Sequence, residues 1–398
     1  MNSRPRPEGY TGLKKMNIFT RKQLGVSLIE LMIALALGSV VTTGIISLFV
    51  SNSKTYNLLT GQSRMQESAR FALEFIGRSV RIAGYRGCFS SSNVYTLMNP
   101  PPPDPLIPYE FDLRNGVEAF EATGVDVWSP VLTPLPTTIG VIDTNVWTTT
   151  DGTGAGNGID TSEITSGTDV LTLRGLSQVD ARVAVNMPTS GEPVVVQMPA
   201  GGLEYADDYL VMIHDCAQGT IFRISGAPQL NTPAAGQATI GHGMADADRG
   251  QNTLPNLAQG GTYSTDASVT AILTHIFFIA PGAGLNNLGS TPLSLWRKSG
   301  LQAPVELVEG VENLQILFGV DTDSDGVPNQ YRTANMVAAD FTQVVTVRVS
   351  VTVNSVDNVE STSLPTHGCV VQDCIEGEAY DGLLRRTFTQ TIMLRNSA

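Results

Sequence analysis

Gly25-Val26-Ser27-Leu28-Ile29-Glu30 opens the stretch on which the fold turns. Lys14, Lys15, Arg21 and Lys22 lie upstream, and from Leu31 to Val50 the chain runs apolar and small with no further charge. A run of about 20 such residues is long enough to cross a bilayer as a helix. It differs from a secretory signal, whose short apolar core precedes its cleavage site. Here the candidate cut, at Gly25, comes before the run. Glu30 is its one acid; a carboxylate inside a membrane helix is costly and marks function, whereas at the interface it costs little. Basic residues favour the cytoplasmic side, so the N-terminus stays inside and the remainder crosses.

The chain has 398 residues, 42% hydrophobic and 15% charged, with a net charge of −13. That suffices for a sizeable core. The acidic balance argues against a nucleic-acid partner, which is held by Lys and Arg on phosphates. The four cysteines, Cys88, Cys216, Cys369 and Cys374, all follow the apolar segment. An even count on the exported side reads as two disulfides, with three pairings open. Cys369 and Cys374 are close enough to close a small loop, which leaves Cys88 and Cys216 as a long-range tie. His214 and His367 lie near cysteines, but the spacings match no standard zinc pattern.

Residues Gly25 to Glu30 resemble the N-terminal motif of the type IV pilin family. That resemblance implies cleavage by a prepilin peptidase between Gly25 and Val26, followed by N-methylation of Val26. It implies that Glu30 pairs with the freed amine of a neighbouring subunit, and a buried carboxylate does need a cationic partner. Leu24 departs from the polar or basic residue usual before the glycine. Met16 would give a shorter, family-like leader.

Four segments follow: a basic leader at 1–25, the transmembrane and assembly half of a helix at 26–50, an amphipathic half at 51–83, and an exported β-rich domain at 84–398. In the amphipathic half Leu58, Leu59, Met65, Ala69, Ala72, Phe75, Ile76 and Val80 recur near helical spacing. Gly61 is a weak point there. Turn-rich stretches near 90–168 and 226–270 read as loop insertions. Short strands are expected at Val170–Arg174, Val194–Met198, Tyr209–His214, Thr220–Ile224, Thr274–Ala280, Leu295–Arg297 and Phe388–Leu394. Period-two alternation from Leu314 to Val320 and from Val345 to Val353 marks a sheet with one buried face. The expected fold is α+β and pilin-like: a long N-terminal helix packed on an antiparallel sheet with long loops.

Within the pilins the chain is similar to the PilW-type minor pilins. Asp169-Val170-Leu171-Thr172-Leu173, Asp215-Cys216, Val311-Glu312-Asn313-Leu314-Gln315, Gly319-Val320-Asp321 and Arg385-Arg386-Thr387-Phe388 carry that similarity. It implies a minor-pilin complex that primes pilus assembly and sits at the filament tip of a Gram-negative cell. The implied partners are other minor pilins, the filament and a tip adhesin, with roles in adhesion and twitching motility. A type II secretion pseudopilin shares the N-terminus. A membrane-anchored, calcium-dependent binding module is the reading from another class.

Asp321-Thr322-Asp323-Ser324-Asp325-Gly326-Val327-Pro328-Asn329 matches the first half of a calcium loop. Asp321, Asp323 and Asp325 are the expected side-chain ligands, Val327 a carbonyl ligand, and Asn329 a ligand directly or through water. Arg332 stands at the twelfth position, where a complete EF-hand has its bidentate Glu. An acidic solvated turn is the plainer reading. His214, His242, His275 and His367 are scattered, and no G-x-S-x-G elbow or H-E-x-x-H pair occurs, so no enzyme is expected.

Overall fold

The computed structural model describes residues 27–87, 94–96, 113, 116–132, 147–148, 158–203, 209–226, 229–230, 236–243, 252, 256–257, 262–300, 302–337, 341–359 and 382–396. Two compact units result, residues 1–56 and 57–398. Helix α1 (Leu28–Ile82) begins in the first and ends in the second. Ser27 starts it: its Oγ accepts a hydrogen bond from the Glu30 amide at 3.2 Å, as an N-cap does. In the apolar run the hydroxyls donate within the helix, Ser39 to the Ala36 carbonyl, Thr42 to Gly38 and Thr43 to Ser39, each at 2.8 Å. Hydroxyls satisfied this way can sit in hydrocarbon. α1 is long and apolar enough to cross a membrane.

Within the second unit Met65, Ala69, Ala72, Ile76 and Val80 form one buried stripe at three- and four-residue steps. Leu59 and Phe75, expected on that stripe, are exposed instead. Phe75 precedes Ile76 by one residue, which turns it about 100° round the helix away from the core. α1 stops where glycines let backbones meet. Gly84, at φ +75°, donates its N–H to the Arg174 carbonyl at 2.8 Å. A Cβ on Gly116 would lie 2.5 Å from Gly84, and one on Gly175 would lie 2.7 Å from the Ile82 carbonyl oxygen.

The strands in chain order are β1 (Val94–Thr96), β2 (Val117–Gly124), β3 (Val127–Ser129), β4 (Trp147–Thr148), β5 (Ile159–Asp160) and β6 (Val170–Arg182). Then come β7 (Val194–Gln197), β8 (Leu210–His214), β9 (Gly219–Arg223), β10 (Gln229–Leu230), β11 (Gln237–Ile240) and β12 (Ser268–Pro281). The last are β13 (Leu293–Ser299), β14 (Val305–Glu309), β15 (Val311–Val320), β16 (Gln330–Arg332), β17 (Val344–Asn354) and β18 (Arg385–Met393), with a short helix α2 (Ala334–Val337) after β16. The main sheet runs β1-β9-β8-β12-β6-β2-β3, with β13 and β14 continuing from β12. A second sheet runs β16-β15-β17-β18. All pairings in both are antiparallel except β1 with β9.

Strand β12 explains the core. Phe277 and Ile279 face α1, where they join Leu171, Leu173, Leu314, Ile316, Val349 and Val351. Ile276, Phe278 and Ala280 face the other way, onto Phe120, Trp128, Ile159 and Ile164. Because both faces are covered, the strand reads as a continuous apolar run. Strands β2 and β3 lie within the stretch expected to be a loop insertion, yet β2 pairs with β6 in the main sheet.

In the second sheet Val347, Val349, Val351 and Val353 are buried as their alternation predicts, but Val345 is not. The register shifts where Gly319 and Val320 meet Thr346 and Val344, and such a bulge breaks the alternation. β15 is otherwise joined to the main sheet through the start of β6. The Asp169 amide donates to the Leu314 carbonyl at 2.8 Å. The Asp169 carboxylate accepts from the Ala122 amide of β2 at 3.0 Å and from the Ile316 amide of β15 at 2.8 Å.

The two buried glycines of α1 differ in a testable way. A Cβ on Gly61 would lie 3.0 Å from Val359 Cγ1 and 3.2 Å from Ser355 Cβ, whereas one on Gly77 would meet Ile392 at an ordinary 3.5 Å. Gly61 is thus kept by a close approach, and the expected weak point is a packing contact. Gly77→Ala is expected to stabilise by about 0.5–1 kcal/mol through helix propensity. Gly61→Ala is expected to be neutral or destabilising, since overpacking costs about 1–3 kcal/mol. Thermal unfolding of the two variants side by side checks the difference in sign.

Candidate functional site

Gly25 and Val26 lie outside the described residues, as do Cys88, Cys369 and Cys374. Glu30 is described: it occupies the first turn of α1, exposed, three residues after its cap. Ser27 and Glu30 thereby form the S-x-x-E arrangement that opens helices, a role for Ser27 that the sequence carried in that spacing. A carboxylate in the first turn also faces the positive end of the helix dipole. Fourteen large apolar side chains between Leu28 and Val50 are 45–77% exposed. At about 1.5 kcal/mol each for burial, covering them is worth on the order of 20 kcal/mol. An apolar surface of this extent marks a membrane or partner-helix contact.

The acidic loop joins β15 to β16. One carboxylate oxygen from each of Asp321, Asp323 and Asp325 lies within 4.8 Å of the others. Two oxygens bound to one calcium at about 2.4 Å are at most about 4.8 Å apart, so the separation fits a shared ion. Gly326 adopts φ +83°, the turn that a calcium loop places at its sixth position. Asp321 is the buried member. Its Oδ1 accepts from the Ser324 amide at 2.7 Å and its Oδ2 from the Gly326 amide at 2.6 Å. Burial pushes the pKa of Asp321 up, but the Gly326 and Ser324 amides outweigh it and hold the carboxyl below its usual range. Asp323 and Asp325 are exposed. Val327 donates its amide to Asp325 Oδ1 at 2.8 Å. The Asn329 side-chain oxygen turns to the Thr322 amide at 2.8 Å, so the loop closes on itself at that position.

His367 lies outside the described residues, and the other three histidines take structural contacts in different parts of the domain. His214 Nε2 bonds Thr270 at 3.1 Å, and His242 Nε2 bonds the Glu192 carbonyl oxygen at 2.8 Å. His275 Nδ1 bonds Ser299 at 3.1 Å. Desolvation, helped by the nearby Arg297, lowers the pKa of His275 to about 4. The folded value lies below the unfolded value of about 6.5, so this contribution is complete above pH 6.5 and is lost as pH falls toward 4. Up to about 3 kcal/mol of stability is expected to disappear across that window. Chemical denaturation at pH 7 and pH 4 checks it, with His275→Gln expected to flatten the dependence.

Cys216 is disulfide-bonded, in the turn between β8 and β9. The Cβ position of Gly87, which precedes Cys88, lies 3.2 Å from the His214 ring at the same end of β8. Two further sequence signatures, those holding Glu312 and Arg385, prove architectural. Glu312 of β15 receives Arg385 of β18 in a two-point ion pair at 2.7 and 2.9 Å. The Asn354 side chain of β17 adds a third bond to it at 2.8 Å.

Two family models match the sequence. Residues 276–396 match Type IV Pilus-assembly protein W, and residues 20–46 match the prokaryotic N-terminal methylation motif. No curated protein and no solved structure matches.

Proposed function

We propose that this chain, a PilW-like type IV pilin, serves as a minor subunit that helps prime pilus assembly and rides at the filament tip. The exposed apolar face from Leu28 to Val50, headed by one carboxylate, carries the reading. Lipid covers that face before assembly, and neighbouring helices cover it afterwards. Cleavage after Gly25 frees the Val26 amine, and Glu30 offers that amine's charge a partner in apolar surroundings. The exported domain is tied by a Cys88–Cys216 disulfide, a pairing supported by the place of Gly87 beside His214. Minor pilins and a tip adhesin are its partners, with adhesion and twitching motility as the cellular outcome. Mass spectrometry of the membrane-extracted chain tests the core of this: the mature protein is expected to begin at N-methylated Val26. A chain still carrying Met1 or Met16 overturns it.

The Asp321–Asn329 loop is proposed to bind calcium, with Asp321, Asp323 and Asp325 supplying carboxylates and Val327 a carbonyl. The close approach of three acids supports this. The absence of a twelfth-position acid sets the affinity in the range of extracellular modules, about 10⁻⁴–10⁻³ M. Calorimetry with calcium is expected to show heat that Asp323→Ala abolishes; equal heats in both proteins reject the site.

A further inference from the structure

Strand β18 is an edge of the second sheet: among the described residues it pairs with β17 alone. All nine of its residues pair in unbroken register, with no bulge and no proline. A long, regular edge presents a row of unpaired backbone groups that templates another strand. α1 and β18 run in the same direction side by side, since Gly61 meets Leu384, Gly77 meets Ile392 and Gly84 meets Asn396. Between them lies a groove of about 670 Å³. Arg70, Arg81 and Arg386 line it together with one acid, Glu74, and Leu73 and Phe388 form its apolar part. None of the three arginines makes an ion pair among the described residues. In a chain of net charge −13, three arginines around one recess are a local reversal of sign.

We propose that this groove docks an acidic, extended segment of a neighbouring subunit, which adds a strand to β18 and sets its carboxylates on Arg70, Arg81 and Arg386. Edge pairing supplies direction and register, and arginine forks supply selectivity for carboxylates. A second copy of this chain, with its net charge of −13, carries the complementary charge. A lipid headgroup would use the arginines without the edge, whereas the strand uses both.

The proposal rests on the filament-subunit reading for the source of the segment, and its test is separate. The full chain in detergent is titrated with a fluorescent ten-residue peptide of alternating Glu and Val, and with its Lys-for-Glu counterpart. The Glu peptide is expected to bind, to weaken with salt, and to slow hydrogen exchange of amides in β18. The double variant Arg70→Glu, Arg386→Glu is expected to weaken binding at least tenfold with an unchanged unfolding midpoint. If the double variant does not fold, the single Arg81→Glu substitution supplies the same comparison. Equal binding of both peptides, binding indifferent to charge reversal, or no binding at millimolar peptide overturns the proposal. So does arginine-dependent binding of phosphatidylglycerol vesicles with no peptide binding. A chain that retains its leader yet binds the Glu peptide sinks the filament reading and leaves the groove standing.

Discussion

Glu30→Ala is expected to cut the proposed incorporation of this chain into filaments at least tenfold, with the unit at residues 57–398 as stable as before. The argument begins with solvation. Glu30 stands at the head of an apolar face that is exposed along the whole stretch from Leu28 to Val50. In the proposed assembly other helices cover that face, and the freed N-terminus of a neighbour brings its positive charge into the same apolar surroundings. Breaking a buried ion pair by removing one partner costs about 3–5 kcal/mol, because the remaining charge is stranded. That is a factor of about 10² to 4 × 10³ in an equilibrium constant, so tenfold is a conservative reading. Glu30 also sits in the first turn behind the Ser27 cap, and its loss there costs only about 0.3–1 kcal/mol through the helix dipole. Two companions separate the roles. Ser27→Ala weakens the cap by about 1 kcal/mol and keeps the charge. Glu30→Gln keeps the size and hydrogen bonding but removes the charge. Counting the subunit in sheared filaments by immunoblot is expected to rank Glu30→Gln with Glu30→Ala, and Ser27→Ala near wild type. Incorporation of Glu30→Gln at the wild-type level would remove the ion pair from the account.

The sequence spoke most clearly where one physical constraint acts alone. The charge-free run to Val50 reads as a helix of membrane-spanning length, and α1 spans it as expected. The strands with one buried face, β15 and β17, were legible from their alternation, up to the bulge that moves Val345. Strand β2 was not: Val117-Glu118-Ala119-Phe120-Glu121-Ala122-Thr123-Gly124 mixes helix formers with two glutamates, and its place is fixed by pairing with β6. β14, also missed, is held as an outer strand of the main sheet through β13. Propensity is a weak guide when neighbours decide. The acidic loop was visible as a spacing, and its three carboxylates do converge. The turning of Asn329 toward Thr322 was not visible, because it depends on how the hairpin closes. The groove beside β18 was invisible for a stronger reason. Arg70 and Arg386 are far apart in the chain and meet only because α1 and β18 run together.

Asp169→Ala is expected to destabilise the unit at residues 57–398 by about 3–5 kcal/mol, the largest stability effect among these substitutions. Asp169 is 1% exposed, and a carboxylate is rarely placed so deep without full hydrogen bonding. Its two oxygens serve different sheets: Oδ1 takes the amide of Ala122 in β2, and Oδ2 takes the amide of Ile316 in β15. Alanine leaves both amides without that acceptor, at about 1–3 kcal/mol for each unsatisfied group. It also releases a joint between the main sheet and the second sheet, whose neighbouring contacts are themselves polar. Gln315 Nε2 donates to the Gly167 carbonyl at 2.9 Å, and Trp128 Nε1 donates to the Thr168 carbonyl at 2.9 Å. The Asp169-to-Leu173 and Val311-to-Gln315 signatures thus meet at one seam, which explains their joint presence as architecture. Asp169→Asn keeps one good acceptor and replaces the other with a donor that faces an amide, so about half the loss is expected. Against a total stability of about 5–15 kcal/mol, the alanine variant should melt well below wild type, with exchange protection failing first at β2 and β15. Unfolding monitored by hydrogen exchange with the disulfide intact decides it. Uniform loss across both sheets, or a shift below about 1 kcal/mol, would mean that the seam is held by its apolar contacts and that Asp169 only fills it.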